Sequence, residues 1–261
     1  MARTYVITGA ASGIGAATAI LLKERGANVI GVDIHNTDII ADLSTSSGRK
    51  DAARNAIKLS GGSIDGVIPC AGLVHPIAQT VSVNFFGVTE FLNELLPTLK
   101  NSSTPRVAIT SSMASLFPNS PELVDAMLAN DEAQALVIAQ GLVDQGPKRA
   151  GLIYGSTKRA LSRWIRRECI KADWAGAGIP LNAVGPGIVQ TPMTAEMIAT
   201  AESRAAVDAM VPMPLNHYLT ARQISYLLAW LTSEENTHTT GQTIYIDGGS
   251  DASIRGENIW S

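Results

Sequence analysis

"TGAASGIG", residues Thr8 to Gly15, decides how this chain is read. It follows "TYVIT" (Thr4 to Thr8), a short β-branched and aromatic run. It precedes "AATAILLKERG" (Ala16 to Gly26), whose apolar residues recur at helical spacing. Strand, tight turn and helix form the context in which such glycines acquire a mechanism. Gly9 can take the turn, Gly13 leaves room for a pyrophosphate against the backbone, and Gly15 lets helix and strand pack closely. The helix N-terminus then offers free N–H groups and the positive end of a dipole to an anion. Helix packing alone is the other use such a turn can have.

The next run, "NVIGVD" (Asn28 to Asp33), is a second short strand and completes a βαβ unit. A carboxylate at Asp33, with Ile34 after it, can accept both ribose hydroxyls of an adenosine and repels a 2′-phosphate. No Arg or Lys stands at positions 10 to 12 or 34 to 36 to attract that phosphate, so the pattern favours NAD over NADP. A solvated Asp opening a turn is the plainer use of the same residue.

Strands and helices keep alternating beyond this unit. Helices are expected over Gly48 to Leu59, Val81 to Leu99, Tyr154 to Ala175 and Ala221 to Ser233, and strands over Asp65 to Cys70, Arg106 to Ser112, Pro180 to Gly187 and Gln242 to Gly249. That order implies one α/β domain over residues 1–261, a single doubly wound parallel sheet of Rossmann type with helices on both faces. Two stretches break the rhythm. One is a helical insertion at about 115–150, where Pro121 to Gly146 reads as two helices. The other is an irregular loop at about 188–214, and such loops at the carboxyl ends of strands are where lids and binding loops sit.

Bulk composition narrows the classes. With 46% hydrophobic and 16% charged residues the chain can bury a full core, and its net charge of −3 argues against a nucleic-acid partner. "RWIRR" (Arg163 to Arg167), the nearest thing to a basic cluster, reads as a solvated helix face. Cys70 and Cys169 make neither a disulfide framework nor a metal site, and His35, His75, His217 and His238 show no ligand spacing, so no metal is expected. His75 and His217 read as solvated loop residues. With no signal peptide and no apolar run of about 18 residues, a cytoplasmic protein without a membrane partner is expected.

"YGSTK" sets a phenol, Tyr154, and an ammonium, Lys158, one helical turn apart on one face. Alone, this pair is most simply a Tyr ring covering a Lys stem. Taken with "TGAASGIG" and the serines ending "RVAITSS", it makes the chain resemble the short-chain dehydrogenase/reductase family along essentially its whole length. The family's glycine motif matches Thr8, Gly9, Gly13 and Gly15, with Ser12 and Ile14 between them. Its acidic residue touching adenine matches Asp42, beside Leu43. Its Asn-Asn-Ala-Gly motif appears as "PCAG" (Pro69 to Gly72), which keeps Ala71 and Gly72 beside the cofactor. Cys70 and Pro69 replace the amides, so local support must differ. The helix asparagine matches Asn84, the serine matches Ser112 with Ser111 as its rival, and the Pro-Gly loop matches Pro186 and Gly187, with Ile188 and Thr191 placed to bond a carboxamide. The insertion and the stretches "IIADLS" and "VSVNFFG" resemble the bacterial 3α-hydroxysteroid dehydrogenase/carbonyl reductase branch.

The resemblance implies an NAD-dependent oxidoreductase that interconverts a secondary alcohol and a ketone by hydride transfer. Tyr154 would be the acid/base, its pKa of about 10 lowered by Lys158 and the nicotinamide charge. Lys158 would also hold the ribose, Ser112 would position the substrate oxygen, and Asn84 would fix a water that links Lys158 to solvent. The implied substrate is a hydroxysteroid or other bulky apolar carbonyl compound; the alternatives are a smaller alicyclic or aryl alcohol and, from another class, a non-catalytic dinucleotide-binding protein. Met113, Leu116, Phe117, Met193, Met197 and Met213 could form an apolar lid or simply fill the space under the loops. A homodimer or homotetramer is the family expectation, with the insertion free to act as lid or interface.

Overall fold

Strand β1 (Thr4–Thr8) lies third from one edge of a seven-stranded, all-parallel sheet. The other strands are β2 (Asn28–Asp33), β3 (Ile39–Ile40), β4 (Gly66–Pro69), β5 (Arg106–Thr110), β6 (Leu181–Pro186) and, after two short strands, β9 (Thr243–Ile246), in the order β3-β2-β1-β4-β5-β6-β9. The computed structural model describes residues 2–259. Val6, Val67 and Val107 point into one apolar core while Tyr5, Ile7, Ile68 and Ala108 point into the other, so the central strands are buried on both faces. Strand order reverses between β1 and β4, and the carboxyl ends of these two strands open the crevice where ligands bind in such sheets.

Helices α1 (Gly13–Glu24) and α2 (Ser46–Leu59) follow the first strands. A continuous helical rod then runs through α3 (Gln79–Val81), a π-helical turn (Ser82–Phe86) and α4 (Gly87–Leu99). The insertion forms α5 (Pro121–Leu128), α6 (Glu132–Asp144) and α7 (Pro147–Ala150), and leads into α8 (Leu152–Glu168). Both expected insertion helices are present. Their buried Leu123, Val124, Met127, Ala135 and Ala139 join the core shared with α8, and Asp125 meets Arg163 at 3.2 Å. The arginines of "RWIRR" are exposed, whereas Trp164 and Ile165 are buried.

The remaining elements are β7 (Val189–Gln190), α9 (Ala201–Met210), β8 (Leu219–Thr220), α10 (Ala221–Leu231) and α11 (Ser250–Arg255); β7 and β8 pair as a separate two-stranded ribbon. Three expectations need correction. The helix expected to reach Ala175 ends at Glu168, because the chain folds back there to bury Trp174 edge-on against Trp164, ring centres 6.1 Å apart. The strand expected over Gln242 to Gly249 covers only Thr243–Ile246, and helix α11 follows it. Strands β3, β7 and β8, two residues each, are additional to the expected set. Among the described residues no helix is long and apolar enough to cross a membrane.

Candidate active site

A cavity of about 550 Å³ occupies the β1/β4 crevice. Its wall includes Gly9, Ser12, Gly13, Ile14 and Gly15 from the first turn, and Asp33, Ile34, Asp42 and Leu43 from the β2 and β3 ends. Cys70, Ala71 and Gly72 line it after β4, then Ser112, Tyr154 and Lys158, and finally Pro186, Gly187 and Thr191. Nearly every residue singled out by sequence therefore faces one space. Two do not. Asn84 is fully buried behind the wall, and Ile188 turns its side chain into an apolar cluster with Met113, Val207 and Val211 while its carbonyl accepts the Leu219 N–H at 2.9 Å.

The glycine turn is built without room for side chains. A Cβ on Gly15 would stand 2.1 Å from the Gly9 carbonyl oxygen, and one on Gly9 would stand 2.7 Å from the Ala71 nitrogen. Gly9 and Gly13 adopt positive φ, of 69° and 52°. Ser12 caps α1 without a side-chain hydrogen bond, and no acidic residue occupies the first turn, so the helix N-terminus keeps its donors for the cavity. Asp33 braces the turn: Oδ2 accepts the Ala11 N–H at 2.9 Å and Oδ1 accepts the Ile34 N–H at 2.7 Å. A backbone cradle with N–H donors at one end and a carboxylate at the next strand fits the pyrophosphate and ribose of a dinucleotide.

At the other end Tyr154 and Ser112 line the same stretch of cavity wall, and Ser112 Oγ accepts the Ala114 N–H at 3.1 Å. Ser111, in contrast, is buried and directs its hydroxyl to the Lys158 carbonyl and to Ser162. Lys158 Nζ lies 5.7 Å from the Tyr154 ring centre and donates to the Thr110 carbonyl at 3.0 Å. The chain by itself does not make the phenol acidic. Burial raises the Tyr154 pKa, with the nearby Ser112 hydroxyl pulling the other way, and burial lowers that of Lys158 to about 8. Desolvation opposes charge on both groups and outweighs the effect expected from their spacing.

The "PCAG" stretch is held by a different set of bonds from the amides it lacks. Thr8 Oγ1 accepts the N–H groups of Cys70 and Ala71 at 3.2 and 3.1 Å, and Cys70 Sγ pairs with Thr110 Oγ1 at 3.0 Å. Burial pushes the Cys70 thiol up to about 11, so it stands as a neutral thiol. Asn84, in the π-helical turn, brackets Leu73 by accepting its N–H at 2.7 Å and donating to its carbonyl at 2.9 Å. Its second amide hydrogen goes to Thr157 at 3.2 Å. Both amide hydrogens are thus donated to protein, and the side chain fixes the Gly72–Leu73 wall.

Sequence reasoning missed Leu73, Gln79, Val83, Thr110 and Thr194 on the cavity wall. Val83 lay on a helix already expected, but Gln79 precedes its expected start at Val81, so their four-residue spacing gave no usable signal. Of the six residues considered for a lid, Met193 reaches the wall and is 43% exposed. Met113 is buried under the loop, and Phe117, Met197 and Met213 pack on the same cluster. His75 and His217 are exposed in loops.

A family model described as enoyl-(acyl carrier protein) reductase matches residues 9–251. The chain is 35% identical over 256 residues to a 3-alpha-hydroxysteroid dehydrogenase/carbonyl reductase of Comamonas testosteroni, covering 96% of this chain and 97% of the relative. It is 27% identical to a glucose 1-dehydrogenase of Gluconobacter oxydans, covering 99% of this chain and 96% of the relative. Among solved structures, the 3-alpha-hydroxysteroid dehydrogenase from Pseudomonas sp. B-0831 complexed with NADH superposes with a TM-score of 0.89 at 35% identity, covering 98% of this chain and all of that one.

Proposed function

The chain belongs to the short-chain dehydrogenase/reductase family, and from that membership we propose that it interconverts a secondary alcohol and a ketone with NAD as coenzyme. The observation that carries this reading is the convergence of Ser112, Tyr154 and Lys158 on the same cavity as the glycine cradle. Gly9, Gly13 and the α1 N-terminus hold the pyrophosphate, Asp33 the adenosine ribose, and Asp42 with Leu43 the adenine edge. When bound, the nicotinamide gives or takes the hydride. Tyr154 supplies a proton to the carbonyl oxygen or takes it from the alcohol. Ser112, on the same cavity wall as the phenol, holds that oxygen beside it, and Lys158 holds the coenzyme ribose. Asn84 acts from behind, by keeping Leu73 and Gly72 in place.

A 3-hydroxysteroid or a comparable bulky, apolar ketone is the substrate class. The names of the relatives at 35% identity support it, as does the apolar flank formed by Leu73, Val83 and Met193. The test is NAD⁺ reduction followed by absorbance, beside NADP⁺, with 3α- and 3β-hydroxysteroids, cyclic terpenoid alcohols and 1-aryl alcohols. Turnover of a 3-hydroxysteroid with NAD⁺ is expected, and Tyr154→Phe should lower it by about 10²-fold or more. Activity confined to small alcohols would overturn the substrate class. Undiminished turnover by Tyr154→Phe would overturn the assignment of the proton to this phenol.

A further inference from the structure

Behind the wall made by Asp42 and Leu43, Arg49 is fully buried at the start of α2. A buried guanidinium persists only when it is paired and its donors are used. Here all are used. Nε donates to the Leu43 carbonyl at 2.7 Å, Nη1 to Glu90 at 2.9 Å and Glu132 at 2.7 Å, and Nη2 to the Ser44 and Ser82 carbonyls at 3.0 and 3.1 Å and to Glu132 at 2.7 Å. One side chain therefore ties together the loop after β3, the π-helical turn, α4 and the first turn of insertion helix α6. The loop it grips has no slack. A Cβ on Gly48 would stand 2.0 Å from the Asp42 carbonyl oxygen, and one on Gly87 would stand 3.2 Å from that of Leu43. Backbone is pressed against backbone on two sides, so a shift at Arg49 is passed to Asp42 and Leu43.

We propose that Arg49 is a positioning residue for the adenine end of the coenzyme and that Glu132 is the insertion's hold on it. By this arrangement the insertion sets dinucleotide affinity from outside the cavity. The inference rests on reading the cavity as the coenzyme site. Glu132 closes the bidentate pair from a partly exposed position, 29% accessible, whereas Glu90 also takes the Ser46 hydroxyl at 2.6 Å and can neutralise Arg49 alone.

Glu132→Gln keeps the shape and removes the charge. The expected result is a rise of about fivefold to tenfold in the Kd for ADP-ribose and in the KM for NAD⁺, the partial loss of a charge-assisted pair. kcat and the KM for the alcohol should stay within about twofold, because Tyr154 and Ser112 are untouched. In the dinucleotide-free variant, backbone amides of residues 42–44 should exchange with deuterium faster than in the native protein. Asp125→Asn, which cuts the insertion's surface ion pair to Arg163, serves as the control and should leave ADP-ribose affinity unchanged. Equal ADP-ribose affinity in Glu132→Gln and native protein would overturn the proposal, as would an equal loss in Asp125→Asn, which would mark a merely structural role. Failure of the native protein to bind ADP-ribose would overturn the coenzyme reading and this inference with it.

Discussion

Lys158→Met should change the way stability depends on pH, with a sign that follows from the burial of this ammonium. Lys158 is 5% exposed, and burial lowers its pKa from 10.5 to about 8. Below pH 8 both folded and unfolded chains carry the proton, and the folded state bears the full cost of the buried charge. Between about 8 and 10.5 the unfolded chain keeps a proton that the folded one has lost, so native stability rises with pH across this window. The gap corresponds to about 3 kcal/mol. Cys70 works in the opposite sense. Its thiol is raised from 9.0 to about 11, so its contribution falls as pH climbs through that range. Native and Lys158→Met proteins share Cys70, and subtracting their unfolding free energies removes its effect to first order. The variant also orphans the Thr110 carbonyl, at a cost of about 1–3 kcal/mol. That cost is independent of pH; it displaces the difference curve without tilting it. Urea unfolding from pH 7 to 10.5 should show native protein gaining about 3 kcal/mol on the variant, nearly all above pH 8. A flat or falling difference would refute the claim that Lys158 is held against its charge.

Gly15→Ala places a Cβ 2.1 Å from the Gly9 carbonyl oxygen. The helix-propensity gain of about 1 kcal/mol does not offset that overlap, so a net loss of about 2 kcal/mol and a fall of roughly 5 °C in Tm are expected by scanning calorimetry. NADH affinity should fall with it, and an unchanged Tm would show that the turn can yield. Asp33→Ala removes the carboxylate that lines the cavity, where we propose the adenosine ribose binds, and that braces Ala11. The ratio of kcat/KM for NAD⁺ over NADP⁺ should drop by about tenfold or more, and a ratio unmoved by this change would take coenzyme choice away from Asp33.

The parts of this molecule legible in the sequence are those encoded by neighbours along the chain. β1 and β2 begin and end where the β-branched runs do, and the glycine turn was readable because the positive φ of Gly9 and Gly13 and the approach of Gly15 to Gly9 act within eight residues, although Gly9 also presses on distant Ala71. α1 starts three residues before the expected Ala16, since Gly13, Ile14 and Gly15 already belong to the helix whose N-terminus they present. The α8 end was not legible because the apolar spacing of Ala172 and Trp174 continues the helical period while the Trp164 ring, a tertiary contact, decides the outcome. β3, β7 and β8 are too short to show any period. Arg49 carried no signal at all, because Glu90, Glu132 and Ser82 reach it from distant positions. The same limit explains the pKa values at the site. Spacing puts Tyr154 and Lys158 on one face, but only packing shows that water is withdrawn from both.

That shared burial bears on the order of events in the cavity. In the protein alone burial holds the Tyr154 pKa up against the pull of the nearby Ser112 hydroxyl, and the Lys158 ammonium donates to the Thr110 carbonyl. An alcohol entering first would meet a phenol that can donate a proton but resists giving one up to become the base. Phenolate formation is favoured by positive charge brought into the cavity, which in the proposed oxidation the nicotinamide of NAD⁺ would supply. The glycine cradle and the Asp33 carboxylate are already braced by main-chain bonds and need no alcohol to form. The cradle is thus braced before any alcohol is present, and coenzyme-first binding is the order we expect, to be checked by product-inhibition patterns.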